Sequence, residues 1–337
     1  MTAGVLVVDK PQGPTSHDVV AVARRALGER RIGHCGTLDP LATGVLALAI
    51  GQATRLVQYL MATDKTYQAT VRFGVVTTTY DTLGEVCSRS DVRPTRDAIA
   101  QALDQFRGSQ LQTPPVFSAK KIDGHRSYDL ARRTGQPPPA LAPVAVQVHA
   151  LTLDAFDGEC AVLTMTVSSG FYVRSLAHDL GQMLGTGAAL QQLRRTRVGS
   201  FSLDQAVTLD TIATVDRHTV QARVIPMTSL MTDRPALHLD GPTAARARKG
   251  VDLPCPSPDS VPPSLTRLFD DEGRLLGLAV PARQPGFLHP TVVFGWAPHR
   301  RFDYNYGFPT TLRVVIDGGL DPQHPAASGP CVEAPWH

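Results

Sequence analysis

Residues 67–75 alternate strictly between apolar and polar side chains, and this pattern restricts the local fold more than any other part of the chain. The apolar positions are Tyr67, Ala69, Val71, Phe73 and Val75. Successive side chains of a β-strand point to opposite faces of the sheet, so all five lie on one face. The pattern predicts a half-buried strand in a sheet that has one face open to water.

The other elements alternate between strand and helix periodicities. An apolar run at residues 4–8 predicts a buried strand, and residues 144–156 and 160–168 predict a hairpin. Helical stripes predict three helices: one capped by Ser16 and ended by Gly28, one capped by Thr95 and stopped by Gly108, and one over residues 172–184. Segments of both kinds, interleaved along the chain, predict an α+β fold.

Proline divides the 337 residues into two parts. Residues 1–233 contain 11 prolines, whereas the much shorter stretch 234–337 contains 16. A domain boundary is therefore expected near residues 231–235, with a small β-rich domain up to about residue 297 and a flexible tail over residues 298–337. Within the first part, residues 113–143 are bounded by prolines, basic and weakly periodic, which predicts an insertion that protrudes from the core.

Composition excludes several classes of protein. The longest apolar stretch, residues 45–50, is far shorter than the roughly 20 residues of a membrane span, and no secretory signal is apparent. The five cysteines are scattered, which argues against a disulfide framework or a zinc ribbon and favours the reducing cytoplasm. No metal-ligand spacing and no glycine-rich phosphate loop is found, so neither a metal nor another cofactor is expected.

Arginine is strongly favoured over lysine. Of the 33 basic residues, 28 are arginine and five are lysine, and many of the arginines are clustered. Arginine suits bidentate contacts with phosphate and stacking on bases, although a genome that prefers arginine codons explains the bias equally well. The clusters point weakly to a nucleic-acid partner.

The segment GHCGTLDPLATGVL, residues 33–46, is the most unusual in the chain. Glycines flank His34 and Asp39, and Pro40 biases the backbone of Asp39 away from helix. Such a loop can hold one carboxylate rigidly while a ligand approaches the backbone. Taken alone, Asp39 is better explained as a turn or helix-cap residue than as a catalytic one.

Seven blocks, in order over residues 4–201, resemble the motifs of the TruB family of tRNA pseudouridine synthases. They are VDKPQGPTSHDVV (8–20), GHCGTLDPLATGVL (33–46), KTYQA (65–69), TYDTLG (79–84), PPVFSAKKIDGHRSY (114–128), SSGFYVRSL (168–176) and LRRTRVGSF (193–201). The resemblance implies isomerisation of uridine to pseudouridine in the T loop of tRNA, at tRNA position 55, with the target base flipped out of the loop. It also implies a pseudouridine synthase domain on a mixed, mainly antiparallel sheet with flanking helices.

The resemblance assigns Asp39 as the nucleophile, which attacks ribose C1′ or acts on it to form a glycal; an older proposal has it add to the base. An ionised carboxylate in a closed site needs a fixed cation, and Arg174 matches the family's partner. A cation in the first turn of a helix is otherwise poorly placed, which supports that pairing. Tyr67 matches the residue that stacks on the target base, and its hydroxyl is a candidate to remove the C5 proton, although its pattern also fits a core aromatic.

The resemblance also implies a set of residues that contact or surround the substrate. They are His34, which fills the space left by the everted bases, Tyr172 and Leu193 around the flipped nucleotide, Lys10 at the site floor, Asp81 in a nearby turn, and Lys120 in the insertion. His34 as a loop residue bonded to its own backbone, and Leu193 as a core residue, remain alternatives.

The expected organisation is a synthase domain over residues 1–233 and a PUA-like RNA-binding domain over residues 234–297. The expected partner is tRNA, gripped at the T arm and acceptor stem by a monomeric cytoplasmic enzyme. Two other functions remain open. A protein that binds and folds tRNA without catalysis would keep the basic surfaces but not need Asp39, Tyr67 and Arg174 together, and a nucleoside hydrolase would want a second carboxylate.

Overall fold

The computed structural model describes residues 3–115, 141–255, 262 and 264–295, and the backbone of residues 121–122 and 125–126. The helices are α1 Ser16–Leu27, α2 Val57–Met61, α3 Arg96–Asp104, α4 Val173–Met183, α5 Leu209–Thr214, α6 Arg217–Gln221 and α7 Gly241–Arg248. Short 3₁₀ helices cover Gly51–Leu56, Leu203–Gln205 and Met227–Ser229. Most of the predicted insertion, including Lys120, and the predicted tail lie outside the described residues.

The described residues form twenty β-strands. They are β1 Gly4–Lys10, β2 Ile32–His34, β3 Ala42–Ile50, β4 Lys65–Phe73, β5 Val75–Thr77, β6 Val86–Arg89, β7 Gly108–Gln112, β8 Lys121–Ile122, β9 His125–Arg126, β10 Val144–Phe156, β11 Cys160–Val167, β12 Ala188–Val198, β13 Phe201–Ser202, β14 Val207–Thr208, β15 Ile225–Pro226, β16 Ala236–His238, β17 Leu253–Pro254, β18 Thr266–Phe269, β19 Leu275–Pro281 and β20 Phe287–Val293.

One large sheet dominates the part of the chain that the structure describes. Its strand order is β14-β1-β3-β12-β4-β11-β10-β7, with β2, β13 and β15 paired at its margins. Most neighbours are antiparallel, but β12 runs parallel to β3 and β14 runs parallel to β1. This mixed, mainly antiparallel sheet with flanking helices is the architecture that the sequence predicts.

The alternating segment forms the centre of this sheet. Side chains at positions 67, 69, 71 and 73 are buried, with exposures of 9, 1, 0 and 1%, as their period predicts. The strand ends two residues earlier than predicted, at Phe73, because Gly74 adopts a positive φ of 83°. Val75 begins the separate strand β5. The predicted hairpin is also present as β10 and β11, which pair antiparallel.

Helix α1 begins differently from the sequence prediction. Thr15, not Ser16, is the N-cap: its hydroxyl accepts from the Asp18 N–H, and the Asp18 side chain bonds back to Thr15, forming a capping box. Gly28 ends the helix in the left-handed conformation, as predicted. Ser16 is left free to bond elsewhere, and it does so in the site described below.

Apolar clusters cover both faces of the sheet. One cluster packs α1, α3 and α4 against the face that carries Leu6, Leu46 and Val71. The other packs the 3₁₀ helix Gly51–Leu56 and part of the C-terminal region against the opposite face. Strands β1 and β3 are buried on both faces, whereas β4 and β11 keep one face partly exposed.

The C-terminal residues form a second sheet with strand order β16-β18-β19-β20-β17, flanked by α7. It has its own small core, which includes Leu253, Leu268 and Leu288. Among the described residues, no helix is both long enough and apolar enough to cross a membrane.

Candidate active site

A row of residues across four neighbouring strands forms the base of the site. Lys10 pairs with Gly44, Gly44 with Arg195, and Arg195 with Tyr67. Directly paired residues project from the same face of a sheet, so the three side chains lie side by side. All are buried, with exposures of 0% for Lys10, 1% for Arg195 and 9% for Tyr67. A glycine at the second position leaves room for the long side chains on either side.

Arg195 holds the loop that carries Asp39. Its guanidinium donates to the carbonyls of Gly36 at 3.0 Å and Thr37 at 3.2 Å, and its Nε donates to the Val45 carbonyl at 2.8 Å. Arg195 therefore points into the protein, although arginine side chains are ordinarily exposed. Arg194 is half-exposed, and it forms an ion pair of 2.8 Å with Asp9.

The rest of the loop is tied residue by residue. Ser16 Oγ donates to the Leu38 carbonyl at 3.0 Å and accepts from the Leu38 N–H at 2.9 Å. Three backbone bonds complete the set: Cys35 N–H to Ala47, Ala42 N–H to Asp39, and Gly13 N–H to Pro40. Backbone groups of each residue from 35 to 40 are thus engaged, so the Asp39 side chain projects from a rigid support.

Arg174 connects two carboxylates. Its Nε lies 3.0 Å from Asp39 Oδ2 and 3.8 Å from Asp81 Oδ2, and its Nη1 donates to the Thr79 carbonyl at 3.1 Å. The Arg174 side chain is only 7% exposed. Along the chain, Arg174 lies 135 positions from Asp39, 95 from Thr79 and 93 from Asp81.

The two carboxylates differ in their surroundings. The Asp81 side chain is 9% exposed, and its Oδ1 accepts from Thr79 Oγ1 at 2.7 Å and from the Leu83 N–H at 3.1 Å. The Asp39 side chain is 43% exposed. Asp39 is therefore accessible to a ligand, whereas Asp81 orders a turn and lies behind Arg174.

Lys10 contributes a second buried cation. Its Nζ donates to the carbonyls of Pro11 at 2.9 Å and Pro14 at 2.8 Å. Burial lowers the pKa of Lys10 to about 8, and the nearby Asp39 carboxylate partly opposes that shift. With Arg174 and Arg195, Lys10 surrounds the Asp39 loop with positive charge.

Tyr67 and Leu193 lie in the apolar cluster that borders these charged groups. That cluster also contains Leu38, which precedes Asp39, and Val173, which precedes Arg174. Leu193 is 9% exposed, as is Tyr67, and it pairs with Ala42 at the end of the Asp39 loop. An aromatic ring and a branched aliphatic group in the cluster that borders the Asp39 loop suit an apolar wall for a planar base.

His34 and Tyr172 lie at the margins of the same region. His34 ends β2, and its half-buried ring contacts His17 edge-on at 5.3 Å. Tyr172 is the half-buried N-cap residue of α4, two positions before Arg174. Its backbone is held by Gln112.

Sequence reasoning missed the supporting residues Arg195 and Ser16. Arg195 lies in the motif at residues 193–201, where its polarity suggests an exposed side chain. Only the parallel pairing of β12 with β3 shows that it points into the site. Ser16 was assigned to the helix cap because Ser and Thr are both good cap residues. Within the described ranges, no group of three or more His, Cys, Asp or Glu side chains could hold a metal ion.

Solved structures show a similar fold. A chain of the structure described as "Crystal Structure of a Cbf5-Nop10-Gar1 Complex" matches with a TM-score of 0.63 and 25% identity, over 86% of this chain and 84% of that chain. A chain of "Structure of H/ACA RNP bound to a substrate RNA containing 2'-deoxyuridine" matches with a TM-score of 0.64 and 24% identity, over 87% and 85%. These matches show that the chain shares its fold with both solved structures over most of its length.

Sequence comparison gives the family. Residues 24–173 match the family model "TruB family pseudouridylate synthase (N terminal domain)", and residues 174–232 match "tRNA pseudouridylate synthase B C-terminal domain". The tRNA pseudouridine synthase B of Solibacter usitatus (strain Ellin6076) is 45% identical over 295 residues, covering 86% of this chain and 99% of that protein. The protein of that name from Cupriavidus metallidurans is 43% identical over 82% and 90%. The chain belongs to the TruB family of tRNA pseudouridine synthases, which are isomerases.

Proposed function

We propose that this chain converts uridine to pseudouridine in the T loop of tRNA, at tRNA position 55, with Asp39 as the nucleophile. The observation that carries the proposal is the 3.0 Å ion pair between Arg174 and Asp39. It joins a carboxylate on a rigid loop to a buried guanidinium from a distant helix. That arrangement suits chemistry at a carboxylate more than it suits RNA binding alone.

The reaction breaks the bond between N1 and ribose C1′ and forms a bond between C5 and C1′. Asp39 attacks C1′, or acts on the ribose to give a glycal, while the detached uracil turns within the closed site. C5 then joins C1′ as the bond to Asp39 breaks or, on the glycal route, as C2′ regains the proton that Asp39 took. The C5 proton leaves and N1 ends with a proton, so no oxidant or reductant is consumed. Arg174 holds the carboxylate in its reactive orientation.

Tyr67 stacks on the target base, and its hydroxyl is the candidate to take the C5 proton. Tyr172 and Leu193 enclose the flipped nucleotide, and His34 fills the gap left in the RNA. Extrusion of the uridine costs a few kcal/mol, which stacking and phosphate contacts offset. Lys10 supports the floor of the site, Asp81 orients Arg174, and Lys120 is proposed to contact RNA from the insertion.

The proposal divides the chain into a synthase domain, residues 1–233, and a PUA-like RNA-binding domain, residues 234–297. The first would engage the T arm and the second the acceptor stem. Lys249, exposed at the end of α7, supports the second contact, whereas Arg248 is already paired with Asp270 at 3.0 Å. The enzyme is proposed to act as a monomer in the cytoplasm, where its tRNA substrate is found.

The test uses a T-loop RNA tritiated at uridine C5. Isomerisation releases tritium to water without free uracil, and this is the expected result. Release of free base would instead identify a hydrolase. Binding of the RNA without either product would identify a tRNA-binding protein that lacks catalysis. Either of those outcomes refutes the proposed function.

A further inference from the structure

The side chain of Gln112 pairs with the backbone of Tyr172 as a neighbouring strand would. Gln112 Nε2 donates to the Tyr172 carbonyl at 3.0 Å, and Gln112 Oε1 accepts from the Tyr172 N–H at 2.7 Å. Gln112 is the last residue of β7 and is 5% exposed. A buried primary amide that satisfies both groups of one peptide residue leaves that residue little freedom.

A restraint on the Tyr172 backbone affects the start of helix α4. It is the N-cap of α4, has an extended backbone with φ −110° and ψ 112°, and makes no capping hydrogen bond with its own side chain. Its carbonyl also accepts the first helical bond, from the Leu176 N–H at 3.2 Å. The direction in which α4 leaves Tyr172 determines where Arg174, two residues later, places its guanidinium.

A second hydrogen bond joins helix α4 to the end of strand β7. Ser175 Oγ donates to the Thr113 carbonyl at 2.8 Å, and Ser175 is 1% exposed. The first turn of α4 is therefore attached to the end of β7 on both sides of Arg174. The guanidinium of Arg174 contacts Asp39, Asp81 and Thr79, so the side chain is held by one set of residues and the backbone by another.

We propose that Gln112 is a positioning residue for the reaction: it fixes the Tyr172 peptide, with help from Ser175, so that Arg174 reaches Asp39. This inference rests on the proposed function. It separates two roles that a buried glutamine can have. A glutamine that only fills the core would affect folding, whereas a positioning glutamine affects the rate of the bound complex, because an error of about 1 Å at a reacting group costs up to roughly 100-fold.

The experiment compares Gln112→Met with Gln110→Met. Gln110 lies on the same face of β7, is half-buried, and donates its side-chain hydrogen bond to the Phe106 carbonyl at 2.9 Å and not to α4. Three quantities are measured for each: the thermal melt, the dissociation constant for T-arm RNA, and the single-turnover rate of tritium release with saturating enzyme. Gln112→Met is expected to release tritium roughly 10- to 100-fold more slowly with a dissociation constant within about twofold of wild type. Gln110→Met is expected to keep both values within about twofold.

A wild-type rate in folded Gln112→Met overturns the inference, as does an equal loss in Gln110→Met. If Gln112→Met does not fold, Ser175→Ala decides: a slower rate at unchanged affinity supports the inference, and a wild-type rate overturns it. The proposed function fails separately, through a wild-type enzyme that releases no tritium.

Discussion

At the scale of single residues, buried charge is the main feature of the site. Lys10, Arg174 and Arg195 are almost inaccessible, yet only Arg174 lies within ion-pair distance of a carboxylate. Lys10 and Arg195 direct their hydrogen bonds to backbone carbonyls instead. Burying a cation without a counterion is costly. Arg195 therefore reduces stability while it holds the loop that carries Asp39, and Lys10 does so while it holds the turn at residues 11–14.

Lys10 gives this cost a measurable pH dependence. Its pKa is about 8 in the folded chain against 10.5 for an ordinary lysine. Between those values the unfolded chain keeps a proton that the folded chain has lost, so the free energy of unfolding rises with pH. Relative to that of Lys10→Met, the free energy of unfolding of the wild-type protein should rise by about 3 kcal/mol from pH 8 to pH 10.5.

Urea unfolding at several pH values measures this difference. The comparison between the two proteins cancels groups that titrate alike in both, including the buried thiol of Cys35, whose pKa burial raises to about 12. A difference that stays constant or falls with pH would show that Lys10 remains charged in the folded protein at pH 10.

At the scale of elements, the close pairing of β3 with β12 beside the buried Arg195 depends on Gly44. Its φ is 98°, and a Cβ added there would lie 2.1 Å from the carbonyl oxygen of Arg195. The obstacle is backbone, which cannot turn away. Any side chain at this position would push β3 and β12 apart where they support the Asp39 loop.

Gly44→Ala is therefore expected to lower the free energy of unfolding by roughly 3 kcal/mol or more. Gly158→Ala is the matched control, because Gly158 has a φ of 97° but open space around it. Gly158→Ala should lower the free energy of unfolding only by the backbone strain of a positive φ, about 1 kcal/mol. Denaturant unfolding of both variants measures the difference, and equal losses would argue against the close approach of β3 to β12.

Local patterns predicted elements better than they predicted contacts. The alternation at residues 67–73 and the cap at Thr95 each depend on neighbouring residues alone, and the structure contains both. Ser16 and Arg195 were misassigned because their partners, Leu38 and the carbonyls of Gly36 and Thr37, come from loops that no local period describes. The Asp39–Arg174 contact was expected only through the family resemblance, since a charge pair 135 positions apart has no sequence period.

At the scale of the whole molecule, the two sheets share a buried interface. Leu278, Val292 and Phe294 belong to the same apolar cluster as Ala53, Leu56 and Leu60. The Tyr59 hydroxyl lies 3.4 Å from Thr291 Oγ1, and the Gly295 N–H donates to Gln52 at 3.3 Å. This interface fixes the distance between the Asp39 loop and the surface that is proposed to meet the acceptor stem.

Phe294→Ala should loosen that arrangement. Two RNA contacts on one rigid protein reinforce each other, and the gain falls when their spacing is no longer fixed. We expect kcat/KM to fall roughly tenfold for full-length tRNA and to stay within about twofold for a T-arm hairpin, which is proposed to contact residues 1–233 only. Val251→Ala, at an exposed position of the same small domain, is the control. Equal effects of Phe294→Ala on both RNAs would contradict the proposed division of contacts.

Arg174 contacts two carboxylates, and the more exposed of them, Asp39, is proposed to react. The most direct test is single-turnover tritium release from C5-tritiated T-loop RNA by Asp39→Asn and by Asp81→Asn, each shown to bind the RNA. Asp39→Asn should release no tritium above background, whereas Asp81→Asn, which keeps the Oδ1 acceptor for Thr79 and Leu83, should release it slowly but measurably. Release by Asp39→Asn at a rate near wild type, with none from Asp81→Asn, would contradict the account.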